Sequence, residues 1–429
     1  MKRVLIVTFD FPPQGGTGAI RVTKFAKYLP EFGWQPIVLT TNRYGTLPTD
    51  QTAHIYRAGD VINSLFSPLR RYRVRNVSQA QQSQIATIPN DSWLGRLRDQ
   101  IMIPDTKIGW LLPAIKLGRA LIRQYQPQLI FSTSPPETAH LVAMHLSQNS
   151  GIPWVADLRD GWLFEPPNPA LRQLPLRYRL EQRWERRMST RTRFIVSSTL
   201  PIADDLKVRY PGAIYKIITI TNGYDQSDFE GITRRRQSDG KFLLVHTGAL
   251  VSSRQGTSAQ AFFTALSHIQ SNSLFPIYVQ FVGVINPEEQ ALVHALNLSD
   301  KVTFIPPVSH RQAHQYQLDA DGLLLITAPG QRSVATQKLF DYIGAGVPIL
   351  ALAENNAAAA IVQQYRLGIT VPPDEPQAIA WALKELISRQ RTVQDQNGLA
   401  AARHVFERRN LTAQLAELFE RVVTQNEPV

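Results

Sequence analysis

The segment TQKLFDYIGAGVPILAL, residues 336–352, constrains the fold more than any other stretch of the chain. Leu339 and Ile343 share one face of a short helix, and Gly346 supplies the C-terminal stop that helices commonly use. Residues 347–352 follow at once and are apolar throughout, which is typical of a parallel strand covered on both faces. The segment therefore predicts an α/β fold with a parallel sheet.

The start of this helix is polar. Thr336, Lys338 and Asp341 place a hydroxyl, an ammonium and a carboxylate there, and the preceding apolar strand spans residues 322–327. The helix start then lies beyond the carboxyl end of a strand, where open α/β sheets bind their ligands. Because a helix N-terminus offers free N–H groups and partial positive charge, a phosphate would suit this position.

Strands and helices alternate in two successive series. The first begins with a strand at residues 3–8 and ends with a strand at 217–220, and the second begins at residues 242–246. The pattern predicts two Rossmann-like domains, residues 1–222 and 223–410, facing each other across a cleft. A last helix, 411–425, could pack back on the first domain. Residues 43–107 are irregular, and we expect an insertion with short helices there.

Charge separates the two halves. Residues 1–222 hold 29 Lys and Arg against 15 Asp and Glu, whereas residues 223–429 hold 17 against 19. There are no cysteines, which excludes thiolate metal sites and fits a cytoplasmic protein. No apolar run reaches the roughly 18 to 20 residues of a membrane span, and the N-terminus resembles a first strand more than a signal peptide.

Five motifs in this order resemble the GT-B glycosyltransferases, more narrowly family 4. They are FDFPPQGGTGAIRVTKFAKYL from residue 9, PWVADLRDGW at 153–162, ITNGYDQSDF at 220–229, HTGAL at 246–250, and the stretch 297–326. The resemblance implies transfer of a sugar from a UDP- or GDP-linked donor, held by the second domain, with retention of configuration. No other cofactor is expected, and no metal, because no His or Cys cluster offers a site.

The resemblance places the donor site mostly in the second domain. Lys338 and Arg254 would neutralise the diphosphate, and Asp341 would bind the ribose. Ser333 stands where the family commonly has the first glutamate of Glu-x7-Glu, so its contact with the sugar differs from the family's. The glycine loop of the first domain, with Gly15, Gly16 and Gly18, would let the backbone approach the donor.

Asp157, Arg159 and Asp160 follow a buried strand of the first domain and are the candidate catalytic residues. Arg159 cannot act as a base, since a guanidinium keeps its proton, so it would orient the acceptor or a phosphate. A structural Asp–Arg pair that supports the loop is the alternative. The histidines, among them His140 and His246, are expected at the surface or packed in the core.

The basic first half points to an acceptor that is a lipid-linked sugar or a polysaccharide. Eight arginines between Arg172 and Arg193 alternate with apolar residues, and residues 66–75 are similar, as in segments that lie on an anionic membrane. A peripheral location at the inner membrane face follows. The alternative for the arginine-rich segment is a solvated helix face. The alternatives for the function are a nucleotide-sugar 2-epimerase and a non-catalytic nucleotide- or sugar-binding scaffold. Nucleic acid is not an expected partner, because its recognition motifs are absent.

Overall fold

The computed structural model describes residues 1–13, 17–42, 54–62, 102–165, 174–236, 240–250, 259–270, 277–389 and 396–424. It divides into two compact units. Unit 1 consists of Met1–Thr221 and Arg409–Val429, and unit 2 of Asn222–Arg408. Each unit is an α/β sandwich around one parallel sheet.

Unit 1 is built on a seven-stranded parallel sheet with the order β3-β2-β1-β4-β5-β6-β7. Its apolar strands are buried on both faces, as parallel sheets require. The strands are β1 Lys2–Val7, β2 Trp34–Thr41, β3 His54–Ala58, β4 Leu129–Ser134, β5 Trp154–Leu158, β6 Phe194–Ser197 and β7 Ile217–Thr219. Strand β3 lies in the region predicted to be irregular, so that prediction was wrong for residues 54–58; the short helices expected at 43–53 and 63–101 lie outside the described residues.

Helices cover both faces of this sheet. On one face α1 Thr17–Tyr28 packs with the C-terminal helix α13 Arg408–Thr424 through Phe25, Phe131 and Phe419. Four helices pack on the other face around Trp110 and Trp154. They are α2 Leu111–Tyr125, α3 Thr138–Ser150, α4 Pro175–Arg191 and α5 Leu200–Arg209.

Unit 2 repeats the architecture with six parallel strands in the order β10-β9-β8-β11-β12-β13. The strands are β8 Phe242–Thr247, β9 Ile277–Val282, β10 Val302–Ile305, β11 Gly322–Ile326, β12 Ile349–Leu352 and β13 Gly368–Val371. The helices are α6 Gln260–Gln270, α7 Pro287–Ala295, α8 His310–Asp319, α9 Gln337–Ala345, α10 Ala357–Gln364, α11 Pro376–Arg389 and α12 Gln396–Phe406. Separate apolar clusters fill the two faces of the sheet.

The strand order reverses once in each sheet. In unit 1 the reversal lies between β1 and β4, and in unit 2 between β8 and β11. Connections leave in opposite directions at such a point, so a crevice opens at the carboxyl ends of the two strands. A ligand-binding site is therefore expected in the segments that follow β1, β4, β8 and β11.

Candidate functional site

In unit 2, two glycines shape the loop that follows β8. Gly248 has φ +94°, a left-handed conformation that residues with a Cβ rarely adopt. A Cβ built on Gly248 would lie 2.8 Å from Cε of Lys338, and one on Gly283 would lie 2.5 Å from the carbonyl oxygen of Gly248. The glycines let the loop pass directly beside the Lys338 side chain.

Lys338 lies in the first turn of α9, as the sequence predicted, and neutral groups hold its ammonium. Nζ donates to the carbonyl oxygen of Ala249 at 2.8 Å and to Nε2 of His246 at 3.1 Å. Nδ1 of His246 lies 2.9 Å from the carbonyl oxygen of Leu324, which can only accept. Nδ1 therefore carries the ring proton, and Nε2 offers a lone pair to the ammonium.

Burial sets the protonation of both side chains. Burial and then the Lys338 charge lower the pKa of His246 well below its ordinary value, so the imidazole is neutral. Burial lowers the pKa of Lys338 to about 8. No carboxylate pairs with Lys338 among the residues the structure describes. The ammonium is thus charged at neutral pH, and none of the described residues places an anion beside it.

Tyr342 and Gln317 hydrogen-bond to Thr247, the residue directly before the loop that follows β8. The hydroxyl of Tyr342 accepts from the amide of Thr247 at 3.1 Å and donates to the carbonyl of Leu324 at 3.2 Å. Gln317 donates to Oγ1 of Thr247 at 2.8 Å. Because burial raises the pKa of Tyr342 to about 12, its hydroxyl keeps the proton that these contacts need.

Asp341 and Ser333 have different surroundings. Asp341 is half-buried in α9 and accepts a hydrogen bond from Nε2 of Gln337 at 2.9 Å; the same amide nitrogen donates to the carbonyl of Gly223. Ser333 is buried, with 7% of its surface exposed. Arg254 falls outside the described residues, so its place in the donor site stays a prediction.

In unit 1, the segments after β1 and β5 bring Gly18 and Arg159 together. A Cβ on Gly18, in the first turn of α1, would lie 2.7 Å from Nη1 of Arg159 and 2.9 Å from Oδ2 of Asp10. The Arg159 guanidinium donates to the carbonyls of Ser134 and Pro135, and its buried Nη1 has no hydrogen-bond partner in the described part of the chain. Gly15 and Gly16 lie outside the described residues.

Asp157 is fully buried at the end of β5. Its carboxylate accepts from Nη2 of Arg21 at 2.8 Å and from the hydroxyl of Thr133 at 2.7 Å. Arg21, also buried, donates in addition to the backbone carbonyls of Ile220 and Thr221. This is an interior ion pair, formed with Arg21 rather than with Arg159. Asp160 is half-buried beside Arg159, and a catalytic role for either aspartate stays a prediction.

Glu137 is a residue that the sequence analysis did not select. It precedes α3 at the carboxyl end of β4, and burial, followed by the charge of Asp105, raises its pKa to about 8. Asp105 itself accepts from the amide and the hydroxyl of Thr138, the first residue of α3. A carboxyl that is protonated at neutral pH can donate a hydrogen bond to a ligand at this edge. The run Ser134-Pro135-Pro136-Glu137 directly after a strand was the available signal.

Residues 16–223, just under half of the chain, match the family described as a glycosyl transferase 4-like domain. This part of the chain is similar to glycosyl transferase 4-like domains. No curated protein matches the sequence. The structure extends the likeness over the whole chain, because the two-sheet architecture is that of the GT-B glycosyltransferases. The predicted resemblance and fold class are confirmed.

Three solved structures illustrate the shared fold. Sucrose-phosphate synthase from Thermosynechococcus elongatus matches with a TM-score of 0.67 at 14% identity, covering 99% of this chain and 100% of the synthase. A glycosyltransferase from Rickettsia africae matches at 0.64 and 13% identity, covering 99% of each chain. HepE from Anabaena, in complex with UDP and glucose, matches at 0.64 and 15% identity, covering 98% of this chain and 100% of HepE.

Two further properties concern metals and membranes. Within the described ranges, no group of three or more His, Asp or Glu side chains is arranged to hold a metal ion. Asp319 and Asp321 form an Asp-x-Asp pattern of the kind that can hold a metal ion, but Asp321 pairs with Arg234 and Arg236 instead. None of the helices in that same part of the chain is both long and apolar enough to cross a bilayer.

Proposed function

We propose that the chain transfers a sugar from a nucleoside-diphosphate sugar, bound by unit 2, to a lipid-linked or polysaccharide acceptor, bound by unit 1. The observation that carries the proposal is Lys338. Its ammonium lies at the start of α9, at the crevice after β8 and β11, and no carboxylate in the described part of the chain pairs with it. The glycosyl transferase 4-like domain supplies the reaction class.

The geometry around Lys338 fits a diphosphate leaving group. Negative charge grows on the diphosphate as the sugar–phosphate bond breaks, and a preorganised cation stabilises that charge without reorganising. Thr336 precedes α9 without a side-chain cap, so N–H groups of the first turn can add to the effect. The UDP found in HepE supports a uridine donor for this chain, and GDP is the second candidate.

The remaining parts of the proposal concern the sugar, the ribose and the acceptor. Asp341 would bind the ribose, and the buried Ser333 would leave sugar binding to backbone groups of the preceding loop. Arg159, whose Nη1 lies beside Gly18 and has no partner among the described residues, would orient the acceptor, assisted by Asp160. Transfer would proceed with retention of configuration and without a metal ion, as the resemblance to family 4 implies.

The experiment is thermal unfolding with UDP, GDP, ADP or CMP in metal-free buffer. A nucleotide at a hundred times its dissociation constant adds about 2.7 kcal/mol to the free energy of unfolding. We expect one nucleotide to stabilise the wild type, with a much smaller effect on Lys338→Met and Asp341→Ala. Lys384→Met, which removes an exposed lysine of unit 2, is the matched control and should respond like the wild type.

Nucleotide stabilisation by itself would also fit a binding scaffold, so a second measurement follows. The protein is incubated with the sugar-linked form of the selected nucleotide and with membrane or glycan extracts, and release of the nucleoside diphosphate is recorded. Release by the wild type and not by Lys338→Met supports transfer. If no nucleotide stabilises the wild type, or if Lys338→Met responds as the wild type does, the proposed donor site is wrong.

A further inference from the structure

Helix α2 carries an exposed basic stripe that begins with a leucine. Leu112, Lys116, Arg119 and Arg123 follow one another at intervals of four, three and four residues, so they share one face of the helix. All four are exposed, and Leu112 keeps 75% of its surface accessible. A shallow groove along this stripe is also lined by Ile115 and His145.

Helix α4 repeats the arrangement with the same spacing. Leu176, Leu180, Arg183 and Arg187 lie along one face, and Leu176 and Leu180 are 76% and 40% exposed. Three more arginines of α4 are exposed on either side of this line. They are Arg179, Arg186 and Arg191.

The two stripes belong to one surface of unit 1. Helices α2, α3 and α4 pack on the same face of the sheet, with α3 in contact with both of the others. Neither α2 nor α3 contains an acidic residue. The two acids of α4 are directed elsewhere: Glu181 pairs with the buried Arg177, and the buried Glu185 pairs with Arg209. The outer surface of these three helices therefore carries positive charge without a compensating carboxylate.

The leucines of both helices lie at the same end of this surface. Both helices run back to the N-terminal edge of the sheet, since α2 leads into β4 and α4 into β6. Their N-termini, with Leu112, Leu176 and Leu180, are therefore at the carboxyl edge. This is also the edge of Gly18, Arg159 and Glu137. Exposed leucines thus lie on the side of unit 1 where the acceptor would bind.

We propose that the outer surface of α2, α3 and α4 docks on an anionic lipid bilayer. The guanidinium and ammonium groups would contact lipid phosphates, and the three leucines would enter the boundary between headgroups and acyl chains. Leucine in line with arginine fits a bilayer better than a nucleic acid, which offers no apolar layer for an exposed aliphatic side chain. The surface would hold the enzyme at the inner membrane face with its acceptor edge toward the lipid.

An anionic bilayer as partner complements the proposed function, but a test of membrane binding needs neither the nucleotide-sugar donor nor the acceptor. Purified full-length protein is sedimented with phosphatidylcholine vesicles, with or without phosphatidylglycerol. We expect binding only to the anionic vesicles. Arg183→Glu with Arg187→Glu should weaken it by more than about tenfold, since each cation near an anionic surface contributes about fivefold. The matched control is Lys241→Glu with Lys384→Glu, which reverses two exposed charges of unit 2 and should leave binding unchanged.

A triple variant, Leu112→Ser with Leu176→Ser and Leu180→Ser, separates a bilayer from other polyanions. It should lose binding to anionic vesicles about tenfold or more while keeping its binding to heparin. Unchanged vesicle binding in this variant, or tighter binding of the wild type to duplex DNA than to vesicles, would overturn the proposal. Nucleotide-induced thermal stabilisation is measured on the same variants. If it persists while vesicle binding is lost, the membrane surface and the donor site are independent.

Discussion

Nucleotide affinity should fall as the pH rises past 8, because the Lys338 ammonium begins to lose its proton there. Burial lowers the pKa of Lys338 to about 8 in the unliganded fold. About nine-tenths of the molecules then carry the charge at pH 7 and about one-tenth at pH 9. If the diphosphate binds only protein in which Lys338 is charged, the molecules with a neutral Lys338 must take up a proton before they bind. The dissociation constant of the diphosphate should therefore rise about tenfold between pH 7 and pH 9.

Isothermal titration calorimetry from pH 7 to pH 10 measures this directly. In addition to the weaker affinity, the heat at pH 8 and above should depend on the ionisation enthalpy of the buffer, since binding takes up a proton. In Lys338→Met the dissociation constant should be larger at pH 7 and should change little up to pH 9. Lys384→Met, with an exposed lysine removed, should follow the wild-type curve.

A wild-type affinity that is constant from pH 7 to pH 10, without proton uptake, would refute this reasoning. It would mean that Lys338 does not contact the diphosphate or that its ammonium keeps an ordinary pKa. The Lys338→Met variant also separates this effect from one of Glu137, whose pKa burial raises to about 8. Glu137 becomes negatively charged above that pH in unit 1, so its effect should persist in Lys338→Met.

Three further predictions concern stability and loop geometry. Lys338→Met should raise the free energy of unfolding at pH 7 by at most about 2–3 kcal/mol. Only the wild type should gain stability from about pH 8 to 10.5, because in this range Lys338 is still protonated in the unfolded chain but no longer in the folded protein. Chemical denaturation across this pH range tests both points. Arg21→Met should destabilise the fold by about 3–5 kcal/mol in chemical denaturation because it leaves the Asp157 carboxylate buried and unpaired, whereas adding Asp157→Leu should recover much of the loss; equal stability of the single and double variants would contradict this. Gly248→Ala should weaken nucleotide binding in calorimetry by displacing Lys338, whereas Gly240→Ala, with φ +79° and open space around its Cβ position, should cost stability alone.

The arrangement of most helices and strands could be predicted from hydrophobic periodicity. The strands predicted at 3–8, 217–220 and 242–246 are observed at 2–7, 217–219 and 242–247, because strong apolar patterns end there at polar or glycine-containing turns. Strand β3 was missed because His54–Ala58 is a short edge strand in which only Ala58 is buried, so that it shows no apolar run. No helix or strand is predicted from the sequence for residues 353–407.

The candidate site was predictable where neighbouring residues carried the signal. Lys338 follows from its place at the start of a helix after a buried strand. His246 could not be selected, because its importance depends on a contact with a residue 92 positions away. The ion pair of Asp157 involves Arg21, which is 136 positions distant, and the nearer Arg159 was the natural partner to expect. Sequence patterns report periodicity within an element, whereas these pairs depend on which strands become neighbours.

Arg21 and Lys338 are both cations held beside the carboxyl edge of a parallel sheet, and their partners distinguish their roles. Arg21 has a carboxylate and two backbone carbonyls, which cancel its charge and satisfy its donors. Among the described residues, Lys338 contacts only a neutral imidazole and a carbonyl, which fix the ammonium in place but leave its charge in the site. A buried charge without a counter-ion costs stability, so the fold gains from it only when an anion arrives. This contrast supports the proposal that a negatively charged ligand binds at Lys338, whereas Arg21 stabilises unit 1.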